Sequence, residues 1–162
     1  MSTAEAGAAG PVDGPSDAIW RSGQHLATRD SIRHFAVAIG AMAAIHHDVE
    51  AARAAGFRDL VAPPFYFSVL GLSLGRSLPS SELRPDGRPL ADELDGRAVA
   101  GEAAVEWFGH IIAGDDVALE ERFTGSYVVP GRSGPLHCFA YDRDYTVQSR
   151  VVVKERLVRI GR

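Results

Sequence analysis

The segment Phe65 to Arg76, FYFSVLGLSLGR, constrains this chain more than any other. Pro63-Pro64 breaks whatever precedes it, and Pro64 suits the first turn of a helix. Phe65, Tyr66, Phe67, Val69, Leu70, Leu72 and Leu74 then cover nearly every side of that helix. A helix that is apolar all round has to be buried. Gly71 and Gly75 keep it thin, so that it can be closely wrapped. Only a surface that bends around the helix supplies such cover, and a curved antiparallel sheet does so economically.

The rest of the chain offers that sheet. Thr28 and Asp30 are candidate N-caps for a first helix. Ile32, Phe35, Ala36 and Ile39 fall on one face of it, and Gly40 ends it. Asp48 can cap a second helix, Val49 to Ala55, which Gly56 stops. Residues 77–96 are polar and rich in Pro and Gly, and read as a long loop. Four strands are expected after it: Arg97–Phe108, Asp116–Val129, Leu136–Gln148 and Arg150–Ile160. Gly131–Pro135 marks a turn. Helices therefore precede strands instead of alternating with them, which predicts an α+β fold. The open edge of such a sheet invites pairing, so a homodimer or heterodimer is expected.

The length of 162 residues suits one domain. Residues 1–17 are small and polar and read as a flexible tail, leaving 18–162 as the domain. A net charge of −4 argues against a nucleic-acid partner. No apolar run reaches the roughly 18 residues of a membrane span. The first residues carry no secretory pattern, so none is expected there. The single cysteine, Cys138, excludes an internal disulfide framework and fits a cytoplasmic setting. It falls inside a strand pattern and reads as core. His46, His47 and Asp48 are too close in sequence to converge on one ion, so no metal is expected, and no cofactor either.

The stretch Phe35 to Phe67, FAVAIGAMAAIHHDVEAARAAGFRDLVAPPFYF, resembles the MaoC-like hydratase/dehydratase family, specifically its N-terminal dehydratase domain. Three pieces carry the resemblance. They are the helix end at Gly40 followed by His46 and Asp48, the run Ala51 to Phe57, and Val61-Ala62-Pro63-Pro64 before the apolar helix. Glu106-Trp107-Phe108 followed by Ala113-Gly114-Asp115 extends it. The resemblance implies the hot-dog fold, an antiparallel sheet wrapped around one long apolar helix, in agreement with the residue patterns.

The family's site is usually written Gly-Asp-x-Asn-Pro-(Ile/Leu)-His-x-Asp. Here the frame runs from Gly40 to Asp48, with Ala41 at the catalytic Asp, and Ala43 and Ala44 at the Asn and Pro. The resemblance implies an acyl thioester of coenzyme A or of an acyl carrier protein as ligand. It implies His46 as the acid/base residue. Ala41, Ala62, Pro63, Pro64, Phe65 and Tyr66 are then expected at the substrate, with backbone N–H groups at the helix start polarising the thioester carbonyl. Three readings follow: a 3-hydroxyacyl-thioester dehydratase or enoyl-thioester hydratase, a non-catalytic acyl-binding partner of a related hot-dog subunit, or a thioesterase. Methyl at Ala41 has no proton to exchange, and losing a general acid/base costs roughly 10²–10⁴-fold in rate. Glu102, Glu106 and His110 lie on or beside the first long strand and read as surface residues, among which a rescuing carboxylate for His46 can be sought. Arg53, Arg58, Arg76, Arg84, Arg88 and Arg132 are candidate phosphate contacts.

Overall fold

The computed structural model describes residues 19–76, 99–132 and 134–161. The expected tail over 1–17 and nearly all of the expected loop over 77–96 lie outside the described residues. Among the described residues, five strands form a single antiparallel sheet: β1 (Ile19–Leu26), β2 (Val99–Trp107), β3 (Asp116–Gly131), β4 (Gly134–Val147) and β5 (Arg150–Gly161). Their spatial order is β1-β3-β4-β5-β2. The last three strands make a meander, and the two earlier ones flank it at opposite edges.

β1 corrects the expectation that helices come first. It pairs with β3 from Ile19↔Arg122 to Leu26↔Asp116. Its sequence, IWRSGQHL, lacks an apolar alternation because it is an edge strand with several exposed side chains and Gly23 at its centre. Only its long partner strand makes it extended.

Among the described residues, β1 is followed by the helices α1 (Arg29–Ala38), α2 (Val49–Ala54) and α3 (Phe67–Arg76), with a 3-10 turn at Ala44–His46. Thr28, not Asp30, caps α1, in a reciprocal capping box with Ser31. Ile32 and Ala36 are buried, but Ile39 lies beyond the last helical residue and is exposed. Asp48 caps α2 by accepting from the amides of Glu50 at 2.7 Å and Ala51 at 3.1 Å.

α3 lies against the meander, as its composition requires. Phe67 is buried against Tyr145 of β4, with ring centroids 5.0 Å apart. Gly71 is buried over Arg143, where a Cβ would come within 2.8 Å of Nη1. Ile32, Leu60, Tyr66, Phe67, Leu70, Leu119, Tyr145 and Val153 form the heart of the core. At about 25 cal/mol per Å² of apolar area removed from water, such burial dominates the favourable side of folding.

The inner face of the sheet also carries charge. Glu121, Arg143 and Glu155 are register neighbours across β3, β4 and β5, and all three are buried. Arg143 Nε donates to Glu121 Oε2, and its Nη1 donates to Glu155 Oε2 at 3.2 Å. The Tyr145 hydroxyl donates to the same Glu155 oxygen at 2.9 Å. Burial works against the Arg143 charge, yet Glu121, Tyr145 and Glu155 together hold its pKa above the ordinary arginine value. Burial, above all, raises the Tyr145 pKa.

Candidate active site

The site begins with a three-layer strip of backbone. The Val61 amide donates to Ile45 O at 3.0 Å, and Ala62 donates to Ile111 O at 2.8 Å. Ala113 donates to Leu60 O at 2.9 Å, and Val61 bridges Ile112 in antiparallel fashion. Ile45–His46, Leu60–Ala62 and Ile111–Ala113 are thereby held side by side. Below them, Arg58 binds Ala113 O at 2.9 Å and pairs with buried Asp115, whose other oxygen accepts from the Ile112 amide at 2.7 Å. The Ala113-Gly114-Asp115 turn is thus clamped.

His46 is buried at 8% exposure, with Nδ1 2.7 Å from the carbonyl oxygen of Val61. A carbonyl only accepts, so Nδ1 carries the proton and the lone pair of the neutral ring is on Nε2. The ring is therefore held in one tautomer and one orientation. His47 is tied elsewhere: its Nε2 lies 2.6 Å from the carbonyl oxygen of Ala41.

His46 borders a cavity of about 480 Å³, within the roughly 300–1,000 Å³ range of small-molecule sites. Its wall is mostly apolar: Ile45, Val61, Ala62, Pro63, Pro64, Phe65, Phe67, Trp107, Ile111 and Val153, with Gly109 and the imidazoles of His46 and His110. Pro63, Pro64, Phe65 and Phe67 place the cavity at the N-terminal end of α3, where the helix dipole favours negative charge. Phe65 adopts φ +67, a left-handed conformation that strains a bulky residue. Its ring is half exposed and meets Trp107 edge-on at 5.4 Å.

Of the residues expected at the substrate, Ala62, Pro63, Pro64 and Phe65 line this cavity together with His46. Ala41 and Tyr66 do not. Ala41 sits just past α1, half-buried. Tyr66 is core: its hydroxyl shares a 2.7 Å hydrogen bond with Ser31 Oγ, and its ring packs on Phe35 at 5.6 Å. Glu102 and Glu106 are exposed on β2 and border grooves elsewhere. Arg53 pairs with Glu50, and Arg58 with Asp115. Arg84, Arg88 and the side chain of Arg76 lie outside the described residues, whereas Arg132 is in the β3–β4 hairpin. Cys138 is buried. Among the described residues, no group of three or more His, Cys, Asp or Glu side chains is placed to hold a metal. No described helix is long and apolar enough to cross a membrane.

The contribution of Trp107, Gly109 and Val153 is not apparent from residue patterns, and His110, read as a surface residue, also lines the cavity. One signal was present: Gly109-His110 interrupts the strand pattern between Trp107 and Ile111. In the structure the Phe108 and Gly109 amides both donate to Val152 O, at 2.9 and 3.2 Å, and the chain leaves β5 there.

An antiparallel sheet packed against an apolar helix, with an apolar cavity beside the helix start, defines a hot-dog domain. The chain belongs to the FAS1-like family, dehydratase domain region, whose model matches residues 21–156. It is similar to a UPF0336 protein of Clavibacter michiganensis subsp. michiganensis, 36% identical over 93 residues that cover 57% of this chain and 58% of the relative. Another, from Streptomyces avermitilis, is 28% identical over 133 residues, 78% of this chain and 83% of the relative. The chain spans under two thirds of the length of the Clavibacter relative.

Among solved structures, the fold is shared with a MaoC-like dehydratase (TM-score 0.68, 19% identity, 90% of this chain and 42% of that one). It is shared with the HadBC (3R-hydroxyacyl-ACP dehydratase) complex of Mycobacterium tuberculosis (TM-score 0.65, 17% identity, 86% of this chain and 90% of that one). The ChsH1-ChsH2 complex of the same organism matches as well (TM-score 0.62, 14% identity, 88% of this chain and 94% of that one).

Proposed function

We propose that this chain is a cytoplasmic hydro-lyase subunit that interconverts 3-hydroxyacyl and enoyl thioesters carried on coenzyme A or an acyl carrier protein. The observation that carries this reading is His46, held with Nε2 as its basic nitrogen in an apolar cavity at the start of α3. The apolar wall takes the acyl chain. The α3 dipole favours the negative charge that develops on the thioester oxygen when a proton moves at C2. His46 removes the proton from water in hydration, and returns it to the leaving hydroxyl in dehydration. A related hot-dog subunit, or a second copy, joins along the open edge of β2, whose end carries Trp107 of the cavity wall. The two-protein complexes among the fold's solved examples support such pairing.

Incubation with crotonyl-coenzyme A, alone and with a copurified hot-dog chain, tests the reading. Hydration that falls roughly 10²–10⁴-fold in His46→Ala supports it. No turnover in any combination overturns it.

A second reading, an acyl-binding partner that leaves proton transfer to another subunit, is favoured by Ala41. No carboxylate takes its place among the described cavity residues. In that case His46→Ala retains turnover in the mixed complex, while both chains are required.

A further inference from the structure

The described residues of the cavity wall carry two titratable side chains, His46 and His110. Both are set by the same backbone strip. His46 is bonded to Val61 O, and His110 immediately precedes Ile111, whose carbonyl accepts from Ala62. The His110 ring packs edge-on against Phe57, with centroids 5.1 Å apart. Its exposure leaves it open to proton exchange with solvent, whereas His46 is buried. Gly109 allows the approach of this segment to β5, where a Cβ would lie 3.2 Å from Val152.

Adding water across an enoyl thioester requires a base for the water and an acid for C2. At Ala41 a methyl can be neither. We infer that His110 is the second proton-transferring residue of this cavity, so that a pair of imidazoles does the work of an imidazole and a carboxylate. The inference rests on the hydro-lyase reading above.

In hydration, His46 Nε2 takes a proton from water as the water oxygen bonds to C3. The C2–C3 π electrons move toward the thioester carbonyl, and protonated His110 delivers its proton to C2. One water is consumed, His46 ends protonated and His110 neutral. Solvent exchange at exposed His110 and release from His46 restore the starting state. Dehydration runs the same steps in reverse, and no oxidant or metal is needed.

The test is hydration of crotonyl-coenzyme A by the full chain, with its hot-dog partner where one copurifies, comparing the parent with His110→Ala, His110→Gln and His46→Ala. Because the His110 side chain is exposed, its variants are expected to keep the parent's urea unfolding midpoint. The inference predicts a loss in kcat of roughly 10²-fold or more for both His110 variants. Free imidazole should restore part of the rate in His110→Ala but not in His110→Gln, where the space is filled. Carbethoxylation of His110 should also slow when the saturated thioester butyryl-coenzyme A is bound. Parent-like turnover in both His110 variants, with His46→Ala inactive, overturns the role of His110 and leaves the hydro-lyase reading standing. A parent without turnover overturns both.

Discussion

Gly71 of α3 lies directly on Arg143 of β4: a Cβ at Gly71 would sit 2.8 Å from the guanidinium Nη1 and 3.4 Å from the Tyr145 hydroxyl. Arg143 cannot swing aside, because Glu121 and Glu155 hold it in place. Gly71→Ala gains about 1 kcal/mol in helix propensity. It loses about 1–3 kcal/mol through overpacking, with an ion network as the neighbour that must yield. The expected result is a net destabilisation of up to about 2 kcal/mol, read as a lower urea midpoint.

Removing Arg143 itself is more severe. Arg143→Leu leaves two buried carboxylates without their shared cation, which costs about 3–5 kcal/mol. Replacing Glu121, Arg143 and Glu155 together by leucine should recover most of that loss, since buried ion groups seldom outperform packed apolar ones. Chemical unfolding of the single and triple variants checks both statements.

Acid should act through Asp59. The Arg29 guanidinium hydrogen-bonds its carboxylate at 2.7 and 2.9 Å and, with the Leu60 amide, holds its pKa down to about 2. An unperturbed Asp titrates near pH 4. The folded form therefore gains stability from this group above about pH 4 and loses it as the pH falls toward about 2. Arg29→Gln should have a lower urea midpoint than the parent at about pH 6, and the gap should close by about pH 2.

Cavity volume sets chain length in the proposed function. Ala62 lines the wall and donates only its backbone amide to Ile111. Ala62→Leu should therefore keep the fold while shortening the accepted acyl chain. The expected readout is a KM rise of roughly tenfold for a long enoyl thioester with little change for crotonyl-coenzyme A, since each methylene is worth about 0.8 kcal/mol of burial.

The β4–β5 turn leaves room for improvement. Gln148 and Ser149 join Val147 to its register partner Arg150 with φ of +49 and +63, left-handed values at two residues that disfavour them. The double change Gln148→Asn and Ser149→Gly matches this turn and should stabilise by about 0.5–1 kcal/mol, seen as a higher Tm.

Most of the architecture was legible in the sequence because burial leaves patterns. The all-round apolar α3, the cap at Asp48 and the long alternating strands each record a local constraint. β1 was not legible, since an exposed edge strand is made by its neighbour. The break at Gln148-Ser149 was legible as the gap between two strand patterns, although its left-handed turn lacks the usual glycine. The inward charges at Glu121, Arg143 and Glu155 break the alternation they belong to. One part of the cavity wall was readable from the run Ala62 to Phe65 and from His46. Another part comes from Trp107 to Ile111, which backbone pairing with residues 60–62 brings close, and pairing across some fifty positions leaves no local trace.

Trp107 ends the edge strand and also walls the cavity, while the chain's other indole, Trp20, belongs to β1 at the far border of the sheet. Emission from a Trp20→Phe protein thus reports on a single fluorophore that senses both arrival of a neighbouring molecule at the strand and filling of the chamber. Quenching by a short thioester and a blue shift on concentration would separate those two events in one cuvette.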